Sequence, residues 1–161
     1  MRLTICVLWL GVALAQAPSG DGFVYWPAAK LKGYSGVLKA RMPADVGGKK
    51  QMAATEQLGN RGNHSFMVAR RDESGEPEVH AEWADIHIGQ EGEAAMVYGG
   101  KVEGGRQTAP GEIRGGKIVG GRTQKMAPGD VVVIPAGMPH QTTVEKGKSW
   151  TVLIVKIEKK K

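Results

Sequence analysis

Two pairs of side chains that can bind metal ions stand two residues apart in this 161-residue chain, Glu78 with His80 and Asp85 with His87. Side chains at positions i and i+2 of a β-strand point to the same face, so each pair would converge on a strand. A buried carboxylate without a partner loses several kcal/mol of solvation or takes up a proton. A divalent cation bound by nitrogen and oxygen donors would remove that cost. Because the set has no sulfur donor, Mn, Fe, Ni, Zn and Co are all admissible.

The same residues also have interpretations that need no metal. His80 and Asp85 could be surface residues that flank a turn. His87 could be an additional ligand, a group that carries protons near pH 7, or a hydrogen-bonded histidine of the core. His64 is expected to begin a strand and to have a structural role. The spacing alone therefore leaves the role of each residue open.

A further imidazole, that of His140, follows the most regular strand pattern of the chain. The segment begins with a Gly129-Asp130 turn and continues as the β-branched run Val131–Ile134, which is suited to a buried strand. Pro135-Ala-Gly137 then bends the chain immediately before His140. The segment predicts a strand and a bend that present one histidine at a fixed place.

This segment resembles the second conserved motif of the cupin superfamily, Gly-x5-Pro-x-Gly-x2-His, and matches it at four residues. The first cupin motif, Gly-x5-His-x-His-x3,4-Glu-x6-Gly, overlays a region further upstream. The overlay places Glu78 at the first histidine, His80 at the second, Asp85 at the glutamate and Gly92 at the closing glycine. Two ligand positions therefore carry a different residue from the family pattern, each with an oxygen donor.

The resemblance covers about half the chain and implies a jelly-roll β-barrel, or double-stranded β-helix, that binds one divalent transition metal and often forms a homodimer. On this resemblance the metal ligands would be Glu78, His80, Asp85 and His140. His87 is not part of the family pattern and would be a candidate acid–base group. Cupins include enzymes of several classes, sugar-binding proteins and storage proteins, so the resemblance names no substrate. Two functions remain: a metal-dependent enzyme acting on a small polar metabolite, and a non-catalytic ligand-binding or structural barrel.

The organisation of the chain predicts one all-β domain with an irregular N-terminal extension. Strand patterns follow one another with glycine-containing turns between them, so we expect the barrel to span residues 63–158. Residues 16–62 are expected to form an arm with a short helical or strand segment, and residues 159–161 a basic tail. No long stretch shows the 3.6-residue period with caps that a core helix needs.

The segment Lys101–Met126 lies between the two motifs and contains seven glycines. Glycines at this density permit tight turns and bulges between short strands. The run Gly115-Gly-Lys-Ile-Val-Gly-Gly121 is not a nucleotide-binding loop, because it lacks the Gly-Lys-Ser/Thr ending. Glu112, Arg114 and Arg122 could line the mouth of the barrel, although charged residues in such an insert more often face solvent.

The first fifteen residues predict a secretory signal peptide and hence a periplasmic or secreted protein. Arg2 is followed by an apolar run to Ala15 that is too short to cross a bilayer as a helix. Ala13-Leu-Ala15 supplies the small residues that a signal peptidase requires, so we expect no stable membrane anchoring after cleavage. Cys6, the only cysteine, lies in this segment, and the mature chain would therefore have neither disulfide nor thiolate chemistry.

The net charge of +6 does not form a basic stripe. Much of the excess lies near the end of the chain, at Lys156, Lys159, Lys160 and Lys161. Nucleic-acid binding favours basic residues interleaved with aromatic ones on one face, and the chain has no such patch. We therefore expect a small-molecule partner and no nucleic acid.

Overall fold

The structure, a computed structural model, describes residues 22–42, 45–46, 49–50 and 52–160. The predicted signal peptide, residues 1–15, lies outside them. The described residues form one helix, α1 (Ala28–Arg41), and fifteen strands. The strands are β1 (Asp45–Val46), β2 (Lys49–Lys50), β3 (Ala53–Asn60), β4 (His64–Arg71), β5 (Glu78–His80), β6 (Trp83–Gly92), β7 (Ala94–Tyr98), β8 (Lys101–Glu103), β9 (Arg106–Ala109), β10 (Glu112–Arg114), β11 (Lys117–Val119), β12 (Arg122–Met126), β13 (Val131–Ile134), β14 (His140–Thr143) and β15 (Trp150–Glu158).

Two antiparallel sheets form the body of the protein. One has six strands in the order β12-β7-β14-β5-β10-β9, and the other has five in the order β13-β6-β15-β4-β3. Strands that are adjacent in space are distant in sequence, as β15 is from both β6 and β4, and this is typical of a jelly roll. The all-β jelly roll with an N-terminal extension, predicted from the sequence, is confirmed. No helix of the described residues is both long and apolar enough to cross a membrane.

The main core lies between the two sheets. Met96 from the six-stranded sheet packs in one cluster with Trp150 and Val152 of β15, and these side chains are 0%, 1% and 3% exposed. Burying a large apolar side chain contributes about 1.5–3 kcal/mol, so this cluster is a main source of the attraction between the sheets.

The strand β13 differs from its prediction, since only one of its faces is buried. Val131 and Val133 are 60% and 63% exposed, whereas Ile134 is buried in the core. The reason is its place in the sheet, because β13 is an edge strand that pairs only with β6 among the described strands. A β-branched run fits an edge strand as well as a central one, and the sequence does not distinguish the two.

The helix α1 covers the outer face of the five-stranded sheet. Leu38 is fully buried there and packs in a cluster with Val68 of β4 and Leu153 of β15. One turn earlier, Oγ of Ser35 accepts a hydrogen bond of 2.8 Å from Nη1 of the buried Arg70. An apolar contact and a polar contact thus attach the helix to the barrel.

The length of α1 corrects the sequence-based expectation. The pattern predicted only a brief helical turn and no long helix, whereas the helix has 14 residues. A helical period is present, since Leu31, Tyr34 and Leu38 share the face that packs on the sheet. Two glycines and a serine within the same stretch lower the helix propensity and obscure that period. Packing against the sheet compensates for the low propensity.

The strand β3 lies in the segment 16–62, which the sequence assigned to the extension. It pairs with β4 from Ala53 to Asn60 and forms one edge of the five-stranded sheet. The extension therefore contributes both a helix and a strand to the folded unit.

A bulge interrupts β6 near its end. The pairing of β15 with β6 shifts register between Thr151 and Val152, so that Gln90 is an extra residue on β6. A bulge of this kind changes which face the side chains beyond it occupy. Only glycine fits beside it at position 89, because a Cβ on Gly89 would lie 2.5 Å from the carbonyl oxygen of Ala127.

The glycine-rich segment forms the short strands β8 to β12 with tight turns between them, which confirms the expectation from its composition. Glycines with positive φ values stand in these turns, at Gly104, Gly111, Gly116 and Gly120. Within this segment β10 joins the six-stranded sheet beside β5, and Glu112 is the direct cross-strand partner of His80.

Candidate metal centre

The four predicted metal ligands come from three strands. Glu78 and His80 lie on β5, and His140 of β14 is the direct cross-strand partner of Glu78 in the six-stranded sheet. Asp85 lies on β6 of the five-stranded sheet. His80, Asp85 and His140 are only 3%, 3% and 4% exposed, so the side chains meet inside the barrel.

Glu78, His80 and His140 form a group with the geometry of a metal site. One possible ligand atom from each residue lies within 4.8 Å of the other two. The shortest of these distances that involves Glu78 joins its Oε2 to Nε2 of His80, at 3.2 Å. Ligand atoms bound to one ion at bond lengths of roughly 2.0–2.2 Å lie roughly 3–4 Å apart. One ion can therefore contact all three residues.

Asp85 lies outside that group of three but faces the same centre. Its Oδ2 atom is 3.7 Å from Nε2 of His80, 3.8 Å from Nε2 of His87 and 3.9 Å from Nε2 of His140. Both of its carboxylate oxygens also accept hydrogen bonds from Nζ of Lys156, at 2.7 and 2.9 Å. The carboxylate of Asp85 is thus shared between three imidazoles and one ammonium group.

The outer nitrogen of each predicted histidine ligand is held by a neighbour. Nδ1 of His80 lies 2.5 Å from Oε2 of Glu112, and Nδ1 of His140 lies 3.0 Å from the carbonyl oxygen of Met138. Both partners are acceptors, so both Nδ1 atoms donate. In a neutral imidazole Nε2 then keeps its lone pair, and this is the tautomer that binds a metal ion at Nε2.

The outer oxygen of each carboxylate is held by a basic side chain. Oε1 of Glu78 lies 2.8 Å from Nη1 of Arg114 and 3.7 Å from Nη2 of Arg71. Oδ1 of Asp85 lies 2.7 Å from Nζ of Lys156. Glu78, His80 and His140 therefore each have one atom held by an outer partner and another directed at the centre. In Asp85 the oxygen that faces the imidazoles is also bonded to Lys156.

The surroundings keep both carboxylates charged. Burial raises the pKa of Glu78, but the adjacent imidazole and the positive charge of Arg114 outweigh burial and lower the pKa from 4.5 to about 2. Burial likewise raises the pKa of Asp85, and His87 together with the ammonium of Lys156 lowers it from 3.8 to about 2. Both groups are therefore anions at neutral pH.

The two histidines of the group differ in their affinity for protons. Burial lowers the pKa of His140 below its ordinary value of 6.5, so that ring is neutral at pH 7. Burial also lowers the pKa of His80, but the carboxylates of Glu78 and Asp85 outweigh burial and raise it above 6.5. Without a metal ion, His80 holds a proton more readily than His140.

Glu112 and Arg114 of the insert contact the predicted ligands, which agrees with the alternative that residues of the insert line the mouth of the barrel. The reason is that β10 pairs with β5 and sets them opposite His80 and Glu78. It is Arg122 that lies away from the cluster, with its guanidinium carbon 5.0 Å from the centre of the Tyr98 ring. A three-residue strand in a glycine-rich stretch gives too weak a signal for its pairing partner to be predicted.

The sequence analysis grouped Lys156 with the basic residues near the end of the chain, and the structure corrects this assignment. It lies within β15, opposite Asp85 in the neighbouring strand. A signal for this position does exist in the sequence, because Lys156 is two and four residues beyond Ile154 and Val152. Side chains at this spacing share one face of a strand, and all three line the same cavity.

The buried polar atoms of the cluster fit a metal ion. Nε2 of His80 and Nδ1 of His87 are buried and have no hydrogen bond of good geometry to any described residue. Such atoms cost free energy unless they gain a partner. A cation among the donor atoms would supply one to His80. Imidazole and carboxylate donors without sulfur suit Mn, Fe, Co, Ni and Zn.

A cavity of about 230 Å³ opens beside the cluster. Three of the predicted ligands and the candidate acid–base group line it, together with three basic side chains: Glu78, Asp85, His140, His87, Arg71, Arg114 and Lys156. A small molecule can therefore reach the predicted ligands from the cavity.

Comparison with known protein families gives a match to part of the chain. The family model of the AraC-like ligand binding domain matches residues 119–161, which contain the second motif and the last four strands. No curated protein matches the chain. The jelly-roll topology and this partial match support the resemblance to the cupin superfamily that the second motif indicated.

Solved structures with a similar backbone have low sequence identity. They include the polyketide cyclase RemF from Streptomyces resistomycificus, with 19% identity, a TM-score of 0.49 and 66% of each chain covered. DMSP lyase DddQ from Ruegeria pomeroyi shows 18% identity, a TM-score of 0.46, and coverage of 66% of this chain and 47% of that chain. A cupin-2 domain protein from Shewanella frigidimarina shows 12% identity and a TM-score of 0.45, covering 65% and 79%. The aligned part spans less than two thirds of the first two chains.

Proposed function

We propose that this protein binds one divalent transition-metal ion through Glu78, His80, Asp85 and His140. One observation supports this above all others. Glu78, His80 and His140 each have an atom directed at a common centre and another atom held by an outer partner, and Oδ2 of Asp85 faces both imidazoles. Outer partners of this kind fix the tautomer and orientation of metal ligands in proteins.

The donor set determines what the site can do. When bound, the ion would supply a Lewis acid that polarises an oxygen atom of a ligand or activates water or dioxygen. Two carboxylates in the set favour harder cations such as Mn(II) or Fe(II) over Cu. The chain itself holds both carboxylates charged and both Nδ1 atoms protonated, so its ligands are oriented in advance.

We further propose that the protein is an enzyme acting on a small polar metabolite. The cavity supports this, because it gives a ligand of that size access to the cluster. His87 also supports it, since this buried imidazole lines the cavity and lies 3.8 Å from Oδ2 of Asp85. This placement makes His87 the candidate acid–base group.

A non-catalytic ligand-binding or structural barrel is the alternative, and a different observation favours it. The ammonium of Lys156 already neutralises Asp85, and Arg114 neutralises Glu78. The cluster can therefore persist without an ion. In this alternative the metal is absent or purely structural, and the metal content of the purified protein decides whether the metal site exists.

Elemental analysis after loading with Mn, Fe, Co, Ni and Zn in turn tests the metal site. We expect about one ion per chain, lost in His140→Ala and held much more weakly in His80→Ala. His64→Ala is a matched control, because His64 bonds to Asn63 outside the cluster and its loss should leave the metal content unchanged. If none of the five metals binds, the site is not a metal centre and the alternative is favoured.

We also propose that the protein is exported and forms a homodimer. The pattern of residues 1–15 supports export to the periplasm or the medium. The exposed valines of the edge strand β13 support a dimer, since such an edge can pair with a second copy.

A further inference from the structure

The cavity beside the metal centre brings several charges close together. Arg71, Arg114 and Lys156 line it with three positive charges, and Glu78 and Asp85 with two negative ones. Glu112, which bonds to His80 behind the cavity wall, adds a third negative charge. These three positive and three negative charges cancel. A bound divalent cation would therefore give the site a net charge of +2. An anion would therefore be attracted into the cavity.

The basic groups of the cavity are already positioned to bind carboxylates. The guanidinium groups of Arg114 and Arg71 both approach one oxygen of Glu78, at 2.8 and 3.7 Å, and Nζ of Lys156 contacts Asp85 at 2.7 Å. Their side chains are 39%, 28% and 21% exposed, so they are partly shielded from water. Hydrogen bonds between such charged groups are stronger than those between neutral ones. The acid group of a ligand that entered the cavity would meet hydrogen-bond donors on more than one side.

The remaining lining of the cavity has an apolar part and a polar part. Met67, Ala69, Val152 and Ile154 form the apolar wall, and Thr55, Gln141 and Thr142 are polar. A short carbon chain would bury apolar surface against the apolar wall, whereas an inorganic anion would not. The cavity volume of about 230 Å³ is below the ~300 Å³ at which pockets for larger ligands begin, so the chain must be short.

We infer that the ligand of this cavity is a small organic acid, with a carboxylate bound by Arg71, Arg114 and Lys156 and a short carbon chain against the apolar wall. The inference rests on the proposed function, because it names the substrate class of the same site. It assigns to the three basic residues the selection of acids over neutral molecules of the same shape.

Calorimetric titration of the Co(II)-loaded protein tests this inference. The ligands are malonate, succinate and glutarate, their neutral diamides, and inorganic phosphate. We expect at least one acid to bind about tenfold or more tightly than its diamide, and phosphate to bind more weakly than that acid. In protein saturated with Co(II), Arg71→Gln and Lys156→Gln should each weaken binding of that acid by about tenfold or more, so that loss of metal does not explain the change.

Arg106→Gln is the matched control. Arg106 is an exposed arginine that pairs with Glu76 outside the cavity, so its variant should bind the acid as the wild type does. The inference is overturned if no acid binds more tightly than its diamide, if phosphate binds more tightly than every acid, or if Arg71→Gln and Lys156→Gln leave the affinity unchanged.

The test separates this inference from the metal site itself. If the protein takes up no Co(II), the proposed metal site fails, and the titration is repeated on the chelated protein. If the chelated protein binds the acid more tightly than the diamide, and both Arg71→Gln and Lys156→Gln abolish this preference, the acid-binding cavity is still supported. Equal binding of acid and diamide, or no binding of either, overturns it.

Discussion

Nζ of Lys156 lies 2.7 Å from Oδ1 and 2.9 Å from Oδ2 of Asp85, its direct cross-strand partner. Oδ2 is also the atom of Asp85 that faces the imidazoles of His80 and His140. The ammonium group and a metal ion would therefore compete for the same oxygen. This relationship makes the affinity of the proposed site depend on a residue outside both cupin motifs.

We expect Lys156→Met to raise metal affinity by about tenfold or more and to destabilise the metal-free protein. The substitution frees Oδ2 of Asp85 for the ion but leaves a buried carboxylate unpaired without one, at a cost of roughly 3–5 kcal/mol. Metal titrations and denaturant unfolding of the chelated protein measure the two effects. Lys148→Met, which removes an exposed lysine paired with Glu93, should change neither. Unchanged metal affinity in Lys156→Met would show that the ammonium does not compete.

We expect Glu112→Gln to weaken metal binding roughly 10- to 100-fold, because Glu112 holds Nδ1 of His80 and so directs its Nε2 at the ion. Metal titration measures the loss, and nitrogen NMR of the histidine rings should show a smaller preference for the Nδ1–H tautomer. Glu103→Gln is a control from the same insert, because Glu103 is an exposed partner of Lys117. Wild-type affinity in Glu112→Gln would mean that Glu112 does not orient the ligand.

The stability of the chelated protein should fall as the pH drops from about 5 to 2. The pKa values of Glu78 and Asp85 are about 2 in the folded protein, below 4.5 and 3.8 in an unfolded chain. Each group thus stabilises the fold by roughly 2–4 kcal/mol above pH 5, and this contribution is lost as the pH falls through the folded-state pKa. Thermal unfolding across this range measures the loss.

Glu78→Gln should make that loss smaller, because one of the two titrating groups is gone. Glu76→Gln removes an exposed carboxylate paired with Arg106 and should keep the wild-type pH dependence. Equal pH dependence in Glu78→Gln and the wild type would contradict the assignment of a lowered pKa to Glu78.

We expect the protein to be a homodimer that Val133→Lys converts to monomers. Val133 is 63% exposed on the edge strand β13, and a lysine on an edge strand opposes pairing with another strand. Light scattering coupled to size-exclusion chromatography gives the mass of each species. Val37→Lys places the same charge at an exposed valine on α1 and should leave the dimer intact. A monomeric wild type would refute the dimer, and a dimeric Val133→Lys would place its interface elsewhere.

We expect the protein to be exported and its mature form to begin at Gln16 or close to it. The basis is the positively charged N-terminus, the short apolar run after it and the cleavage site at Ala13-Leu-Ala15. Mass spectrometry of protein recovered from its natural cell identifies the N-terminus. Protein that retains Met1 in the cytoplasm would refute export.

The sequence predicted the parts of the site that depend on local pattern. Alternation along a strand placed Glu78 and His80 together, and the bend after Ile134 placed His140 at the start of β14, because both depend on neighbours within a few residues. The strand pattern predicted one all-β domain, and the resemblance to the cupin superfamily implied that it is a jelly roll. The structure agrees in bringing these three residues to one centre.

The outer partners of the ligands depended on strand pairing and were not predictable in the same way. Glu112 is 32 residues from His80, and Lys156 is 71 residues from Asp85. Which strand lies beside which, and in what register, is set by the whole fold rather than by the local sequence. The helix α1 shows the same limit, since its contact with the sheet outweighs the glycines that lower its propensity.

The bulge at Gln90 has a consequence for how this protein can change in evolution. Gly89 and Glu91 stand opposite the consecutive residues Val152 and Thr151, and Gln90 is the unpaired residue between them. Loss of Gln90 would therefore leave a regular strand in which Asp85 and His87 keep their faces. A one-residue deletion between Asp85 and Gly89 has the opposite effect, because it would turn Asp85 to the other face of β6. Descendants of this gene can therefore replace or lose Gln90, whereas the number of residues between Asp85 and Gly89 must stay the same for the centre to persist.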